Sequence, residues 1–306
     1  MASDLEQPVD GVQCSQCEAP GKRGDNWCEA CGAPLGPSNN PASTQSAAFS
    51  AGFGADDDAG VVAVAVDRGR QRAENQDAAA VSQTPPATDP IRSAVVLCDG
   101  VASTEGAGSA ATVAVERGIP VALDGGLSPE HAVSAAVADA QQAVGALGAE
   151  TASGIEPPSS TVVVAVVQRD GEVFRLDGGW LGDSRAYWLG SGDAELLTTD
   201  HEIGGALSRW LGADSIDPEP DHFSRTIDTP GLLLVCSDGL WRYAPAPHEL
   251  YSVVTGLARE ATSLADLAHR LVEWANTAGG HDNISVALWA SPGWAGSLGT
   301  SGEETQ

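Results

Sequence analysis

Short apolar runs recur along the chain from about residue 61 to residue 290. Most are too short for helices and stop at Gly, Asp or Asn, the pattern of buried strands. Val61-Val62-Ala63-Val64-Ala65-Val66, Ala78-Ala79-Ala80-Val81, Ala94-Val95-Val96-Leu97-Cys98 and Thr161 to Val167 are the clearest. Val173 to Leu176, Trp180 to Leu189, a segment around Ile227, Leu232 to Cys236 and Ile284 to Trp289 read the same way. Consecutive strands after Thr161, with no helix between them, predict an antiparallel meander. Helical spacing replaces this pattern over Gly106 to Arg117, Pro129 to Leu147, Ala246 to Gly256 and Leu264 to Ala278. Ser128 is placed to cap the second of these, with Glu130 in its first turn. His201 to Phe223 follows neither period and reads as an exposed flap. Grouped strands with grouped helices make this an α+β chain.

The ends of the chain read differently. From 35 to 58 the sequence is Pro, Ser, Asn, Ala and Gly, closing on Asp56-Asp57-Asp58, too polar to offset its ordering entropy. It is expected to be a flexible linker between a small unit at 11–34 and a large domain at 59–292, with a disordered tail at 293–306. The small unit contains Cys14-Ser15-Gln16-Cys17 and Cys28-Glu29-Ala30-Cys31. Two such knuckles bring four thiolates onto one ion, the tetrahedral sulfur set of a closed, structural zinc ribbon. A pair of redox dithiols is the competing reading, and the paired spacing favours zinc. So short a piece has no core, so its metal supplies most of its folding free energy. A docking or structural module is the role left to it.

Composition narrows the classes of function. With a formal charge of -27 and only 15 Lys and Arg, the chain repels a polyphosphate backbone, which argues against nucleic acid as a partner. A zinc-ribbon transcription regulator is disfavoured on the same ground. No apolar stretch approaches the roughly 18 residues of a membrane span, and Met1-Ala2-Ser3-Asp4-Leu5-Glu6 lacks the basic and apolar regions of a leader. The remaining cysteines, Cys98 and Cys236, lie inside apolar strands, which suits a reducing compartment. A cytoplasmic location is expected.

The chemistry lies in carboxylates that end the strands. Cys98-Asp99-Gly100 and Cys236-Ser237-Asp238-Gly239 follow two apolar runs; Asp77, Asp183 in Gly182-Asp183-Ser184-Arg185 and Asp282 in His281-Asp282-Asn283 close other short motifs. Each motif alone is also a common turn. Gathered together without a cation, each close pair of these carboxylates costs on the order of 4 kcal/mol at an effective dielectric of about 20. A divalent ion removes that cost, and an all-oxygen set favours Mg2+ or Mn2+ over zinc. Two ions bridged by one Asp acidify a shared water and hold a phosphate opposite it, while Arg72 offers the planar fork that binds phosphate oxygens.

The order Arg72-x-x-Asn75-Gln76-Asp77, Asp99-Gly100, Ser160-Thr161, Gly182-Asp183-Ser184-Arg185, Cys236 to Trp241 and His281-Asp282-Asn283 resembles the metal-dependent protein phosphatase 2C family in its bacterial form. The resemblance implies two antiparallel sheets packed as a sandwich between helix layers, αββα, with the metals at one end. It implies that Asp99 bridges two ions, that Gly100 contributes a backbone carbonyl, and that Asp238 and Asp282 complete the set. A third, weaker ion is implied at Asp183 with Asp238. Asp77 is implied to act through metal-held water, Arg72 to bind the substrate phosphate and Asn283 to support the metal waters. Phosphorylated Ser/Thr proteins, the products of a bacterial Ser/Thr kinase, are the implied substrates. Two departures stand out: Gln76 replaces a common Glu, and Val101 stands where many members carry a His that protonates the leaving alcohol. A catalytically weak or silent module that binds phosphoproteins is the alternative reading.

Overall fold

The computed structural model describes residues 60–294 except 86, 150, 152 and 153, together with the backbone of 12–13 and 20–21. The chain divides into two units, Met1–Thr44 and Gln45–Gln306. In the first, Val12–Gln13 pairs antiparallel with Pro20–Gly21. The predicted zinc ligands Cys14, Cys17, Cys28 and Cys31 lie outside the described residues, as do the linker at 35–58 and the tail beyond residue 294.

The second unit holds ten main strands and four main helices in chain order: β1 (Val61–Asp67), β2 (Asp77–Gln83), β3 (Arg92–Asp99), α1 (Ala107–Ala122), α2 (Pro129–Ala149), β4 (Val162–Asp170), β5 (Val173–Leu181), β6 (Arg185–Leu189), β7 (Ala194–Leu196), β8 (Asp221–Ile227), β9 (Leu232–Cys236), α3 (Pro247–Ala258), α4 (Leu264–Ala278) and β10 (Ile284–Ala290). They form two five-stranded antiparallel sheets, ordered β7-β6-β9-β10-β1 and β8-β5-β4-β3-β2.

Three apolar layers follow from the two-residue period of a strand. In β3, Val95 and Leu97 face the other sheet, where they meet Trp188, Leu233 and Trp289. Ala94, Val96 and Cys98 face the opposite way, onto the alanine faces of α1 and α2. On the first sheet Leu232, Leu234 and Cys236 turn outward to α3 and α4, while Leu233 and Val235 turn inward. The result is the helix, sheet, sheet, helix order. Both faces of each central strand are covered, which is why those strands read as continuous apolar runs. Arg92 is a charged exception, fully buried in β3, and its guanidinium binds the carbonyls of Asp124 and Leu127 at 2.5 and 2.8 Å, tying the α1–α2 turn to the sheet.

Three expectations are corrected. Trp180 to Leu189 is not one strand: β5 ends at Leu181 in the second sheet, and after a crossing at 182–184 the chain enters the first sheet as β6. The meander is therefore only two strands long in that sheet before the chain leaves it. The flap is shorter than expected, because 221–227 forms β8, an edge strand beside β5. Its outer face is polar, and only Phe223 and Ile227 join the inter-sheet layer, so its sequence signals a strand only around Ile227. Helix α1 continues past Arg117 to Ala122, whose full burial beneath the helix pair holds the last turn. Ser128 caps α2 as expected, its Oγ accepting from the His131 N–H at 3.3 Å.

No helix among the described residues is long and apolar enough to cross a membrane. Leu233 is fully buried between the sheets. Leu233→Ala is expected to cost about 2–5 kcal/mol, read as a lower denaturant midpoint with an unchanged slope.

Candidate active site

Strand register brings the sequence motifs to one end of the sandwich. Asp67 at the end of β1 pairs with Ile284 at the start of β10, Cys236 at the end of β9 with Arg185 at the start of β6, and Asp99 at the end of β3 with Asp77 at the start of β2. The connections leaving these ends carry Arg72, Asp183, Asp238 and Asp282. Two of them cross between the sheets, at 68–76 and at 182–184. Arg72, Asp99, Gly100, Asp183, Asp238 and Asp282 consequently line one cavity of about 260 Å3.

Asp77 and Asp99 are the last members of the row that faces the opposite sheet, continuing Val81 and Ala79 on one strand and Val95 and Leu97 on the other. They are thus buried where the inter-sheet core opens. The first sheet answers with Ser237, one residue beyond Cys236, whose Oγ donates to Asp77 Oδ2 at 2.8 Å and accepts from Ser285 N–H at 3.0 Å. Asp77 Oδ1 and Asp238 Oδ1 are buried and have no hydrogen-bond partner. Burial pushes the Asp77 carboxyl up to about 6 and Asp238 to about 7. Asp99 is raised well above the ordinary range, first by burial and then by the charges of Asp77, Asp238, Asp183 and Asp282. Asp183 is raised by burial and by Asp200.

Two arginines face this charge. Arg72 Nη2 donates to Asp282 Oδ2 at 2.5 Å, and this bond raises the guanidinium pKa further. Arg242 Nε meets Asp238 Oδ2 at 2.8 Å. Among the described residues, no three His, Cys, Asp or Glu side chains stand grouped as a ready ligand set for one ion. Asp282 and Asp238 face arginines instead. The donor set still fits a hard divalent ion: it is all oxygen, two of its buried oxygens are unpartnered, and its members raise one another's pKa.

The supporting residues explain how each acid is held. Asp99 N–H donates to Thr161 Oγ1 at 3.0 Å, and Ser160 Oγ donates to Asp99 O at 2.9 Å. Gly100 N–H donates to Gln76 O at 3.1 Å, so residue 76 holds Gly100 through its backbone, while its exposed amide turns to Glu74. Asn283 is buried, accepting from Gln76 N–H at 2.8 Å and donating to Arg68 O and Glu74 O at 2.7 and 2.9 Å. Both of its amide hydrogens are thereby spent on the Arg72 loop. Gly239 lets the Asp282–Asn283 turn and Asp238 come together, since a Cβ there would meet Asn283 O at 1.9 Å.

Asp183 is held by a clasp that the sequence reading missed. Gly182 has φ +106, and a Cβ there would strike Thr161 Cγ2 at 2.5 Å, so glycine is required. His201, stacked on Trp180, donates its N–H to Gly182 O at 3.0 Å and accepts from Gly182 N–H on Nδ1 at 3.1 Å. Trp241 Nε1 donates to Asp183 O at 3.0 Å. Arg185 lies over that indole at 3.6 Å and grips Asp200 bidentately at 2.9 and 2.7 Å. Arg242 is also new. Its one sequence signal is its place four residues after Asp238.

A family model described as Protein phosphatase 2C matches residues 68–287. The chain is 28% identical over 162 residues to the serine/threonine phosphatase stp of Listeria welshimeri, covering 46% of this chain and 60% of that one. To the protein phosphatase PhpP of Streptococcus pneumoniae it is 30% identical over 130 residues, covering 35% and 50%. It spans 60% or less of the length of these curated relatives. Among solved structures, the S. agalactiae serine/threonine phosphatase superposes with a TM-score of 0.59 at 21% identity over 75% of this chain and 98% of the other. The catalytic domain of the serine threonine protein phosphatase PstP, in complex with 2 manganese ions, does so at 0.56 and 25% identity over 75% and 97%.

The raised carboxyls make a prediction with a definite sign. A carboxyl that keeps its proton in the folded chain after the unfolded chain has lost its own weakens folding as pH rises, here from the ordinary value of 3.8 up to about 6 for Asp77 and about 7 for Asp238. The chelator-treated protein should therefore unfold at lower urea at about pH 8 than at about pH 5, and Asp238→Asn should shrink the difference. Mn2+ should restore the midpoint mainly at the higher pH. A pH difference that Asp238→Asn leaves intact would contradict this account.

Proposed function

The chain belongs to the protein phosphatase 2C family, and we propose that it is a Mg2+- or Mn2+-dependent phosphatase of phosphoserine and phosphothreonine proteins. The observation that carries this reading is the convergence of Arg72 with Asp99, Asp183, Asp238 and Asp282 on one cavity. Asp99, Asp238 and Asp282, with the Gly100 carbonyl, would hold two ions; Asp77 would act at one remove, and Asp183 with Asp238 would hold a third, weaker one. Bound there, such ions supply a water acidified for attack on phosphorus and charge to neutralise the phosphoryl oxygens. The manganese reported in the PstP catalytic domain supports the choice of metal.

The chain's own residues do the rest. Arg72, once Asp282 turns to an ion, is free to present its fork to two phosphoryl oxygens. Asn283 keeps the Arg72 loop and the Asp282 turn in register through its three backbone hydrogen bonds. Val101 and Ala102 line the cavity beyond Gly100 and have no proton to give, so water or another group would protonate the departing alcohol.

The same proposal assigns Cys14, Cys17, Cys28 and Cys31 to one structural Zn2+, on their spacing and on the backbone pairing of Val12–Gln13 with Pro20–Gly21, which brackets the first two. The ribbon would dock a protein partner. The substrates would be cytoplasmic proteins phosphorylated by a Ser/Thr kinase.

Hydrolysis of an aryl phosphate and of a phosphothreonine peptide, with and without Mn2+, tests the reading. Turnover should require Mn2+, and Asp238→Asn should lower it by more than the roughly 10- to 100-fold lost when a residue supporting a ligand is removed. A folded wild type with no turnover above the variant would leave the phosphoprotein-binding module as the better reading.

A further inference from the structure

Of the two arginines lining the cavity, only Arg72 has a role in the proposed reaction. Arg242 directly follows the one-turn helix Asp238–Trp241 with helical φ of -62, and the four-residue step sets it beside Asp238. Its Nε lies 2.8 Å from Asp238 Oδ2 and its Nη2 3.9 Å from Asp183 Oδ2. The guanidinium also lies 5.5 Å from the ring centre of Trp241, the buried indole that pins the Asp183 carbonyl. One cation therefore spans two carboxylates delivered by separate segments of the chain. It does not satisfy them fully, since Asp238 Oδ1 remains buried without a partner.

We infer that Arg242 is a resident counter-cation of the Asp183–Asp238 pair, and that a divalent ion binds this pair only by displacing it. The inference rests on the proposed metal centre and adds what sets the strength of its weakest site. A tethered guanidinium competes at an effective concentration that dilution cannot lower. An incoming ion must break a charge-assisted bond before it gains its own ligands.

Mn2+ binding to the full chain, followed by calorimetry and by the spin-resonance signal of the free ion, tests this without recourse to activity. Arg242→Gln should tighten the weakest class of sites by up to roughly fivefold, the span of a half-exposed ion pair, with Arg242→Lys between. Arg117→Gln, which removes a surface charge from α1, controls for net charge. The gain should vanish when Arg242→Gln is combined with Asp183→Asn. Equal weak-site affinity in Arg242→Gln and Arg117→Gln overturns the inference, as does a gain that persists in the Asp183→Asn background. Failure of the metal centre itself looks different, because then wild type and every variant fail to bind Mn2+, and the inference falls with it.

Discussion

The mutual repulsion of carboxylates buried at the mouth of a dry core is the constraint on which the rest of this structure depends. Asp77 and Asp99 are not surface acids that happen to be near one another. Strand alternation commits them to the inter-sheet face, behind Leu97 and Ala79, as firmly as it commits those apolar residues. The large side chains of that layer, among them Trp180, Trp188 and Trp289, fix how far apart the sheets stand and so how close Ser237 of one sheet comes to Asp77 of the other. The charge is tolerated by raised pKa values, by hydroxyl and peptide donors, and by two arginines at the rim.

A second constraint concerns how acids on different sheets keep their positions. Asp183 lies in a crossing connection with no strand partner of its own. Its place is fixed instead by neighbours from several elements: His201 on Gly182, Thr161 on Ser184 at 2.8 Å, and Trp241 on its carbonyl. Arg185 then locks Trp241 to Asp200. Each member is buried or bidentate, so the clasp holds a geometry rather than only a contact. Asn283 does the equivalent for the Arg72 loop, spending its amide on backbone, so that its part in the site is positional.

Much of this was legible in the sequence, for identifiable reasons. Strands such as Leu232–Cys236 are covered on both faces, so they stand out as apolar runs, and the Asp-Gly turns that follow mark where the chain leaves the core. What periodicity cannot carry is which sheet a strand joins. Val61–Asp67 and Asp77–Gln83 are neighbours in sequence and belong to different sheets, because the connection at 68–76 crosses the sandwich end. Only the end of Asp221–Ile227, around Ile227, is legible for the opposite reason, since this is an edge strand with a polar outer face. Ser237 belongs to a motif whose sequence signal is its carboxylate, and Arg242 stands just beyond that motif. Only the packed structure turns a residue one or four positions away into a partner.

The departure at Gln76 can be weighed in the same terms. Its structural contribution is a peptide carbonyl that accepts from Gly100, which any residue at this position supplies, and its side chain is turned away to Glu74. A glutamate there would add charge without altering the frame. As it stands, the five acids that line the cavity, Asp99, Asp183, Glu202, Asp238 and Asp282, face only two arginines, Arg72 and Arg242, so acids outnumber bases there. Such a cavity repels a phosphate dianion until divalent cations enter it. On the proposed reading, divalent ions offset that excess and let the site accept phosphate. Residue 76, whose side chain lies outside this lining, leaves untouched the architecture that brings the acids together.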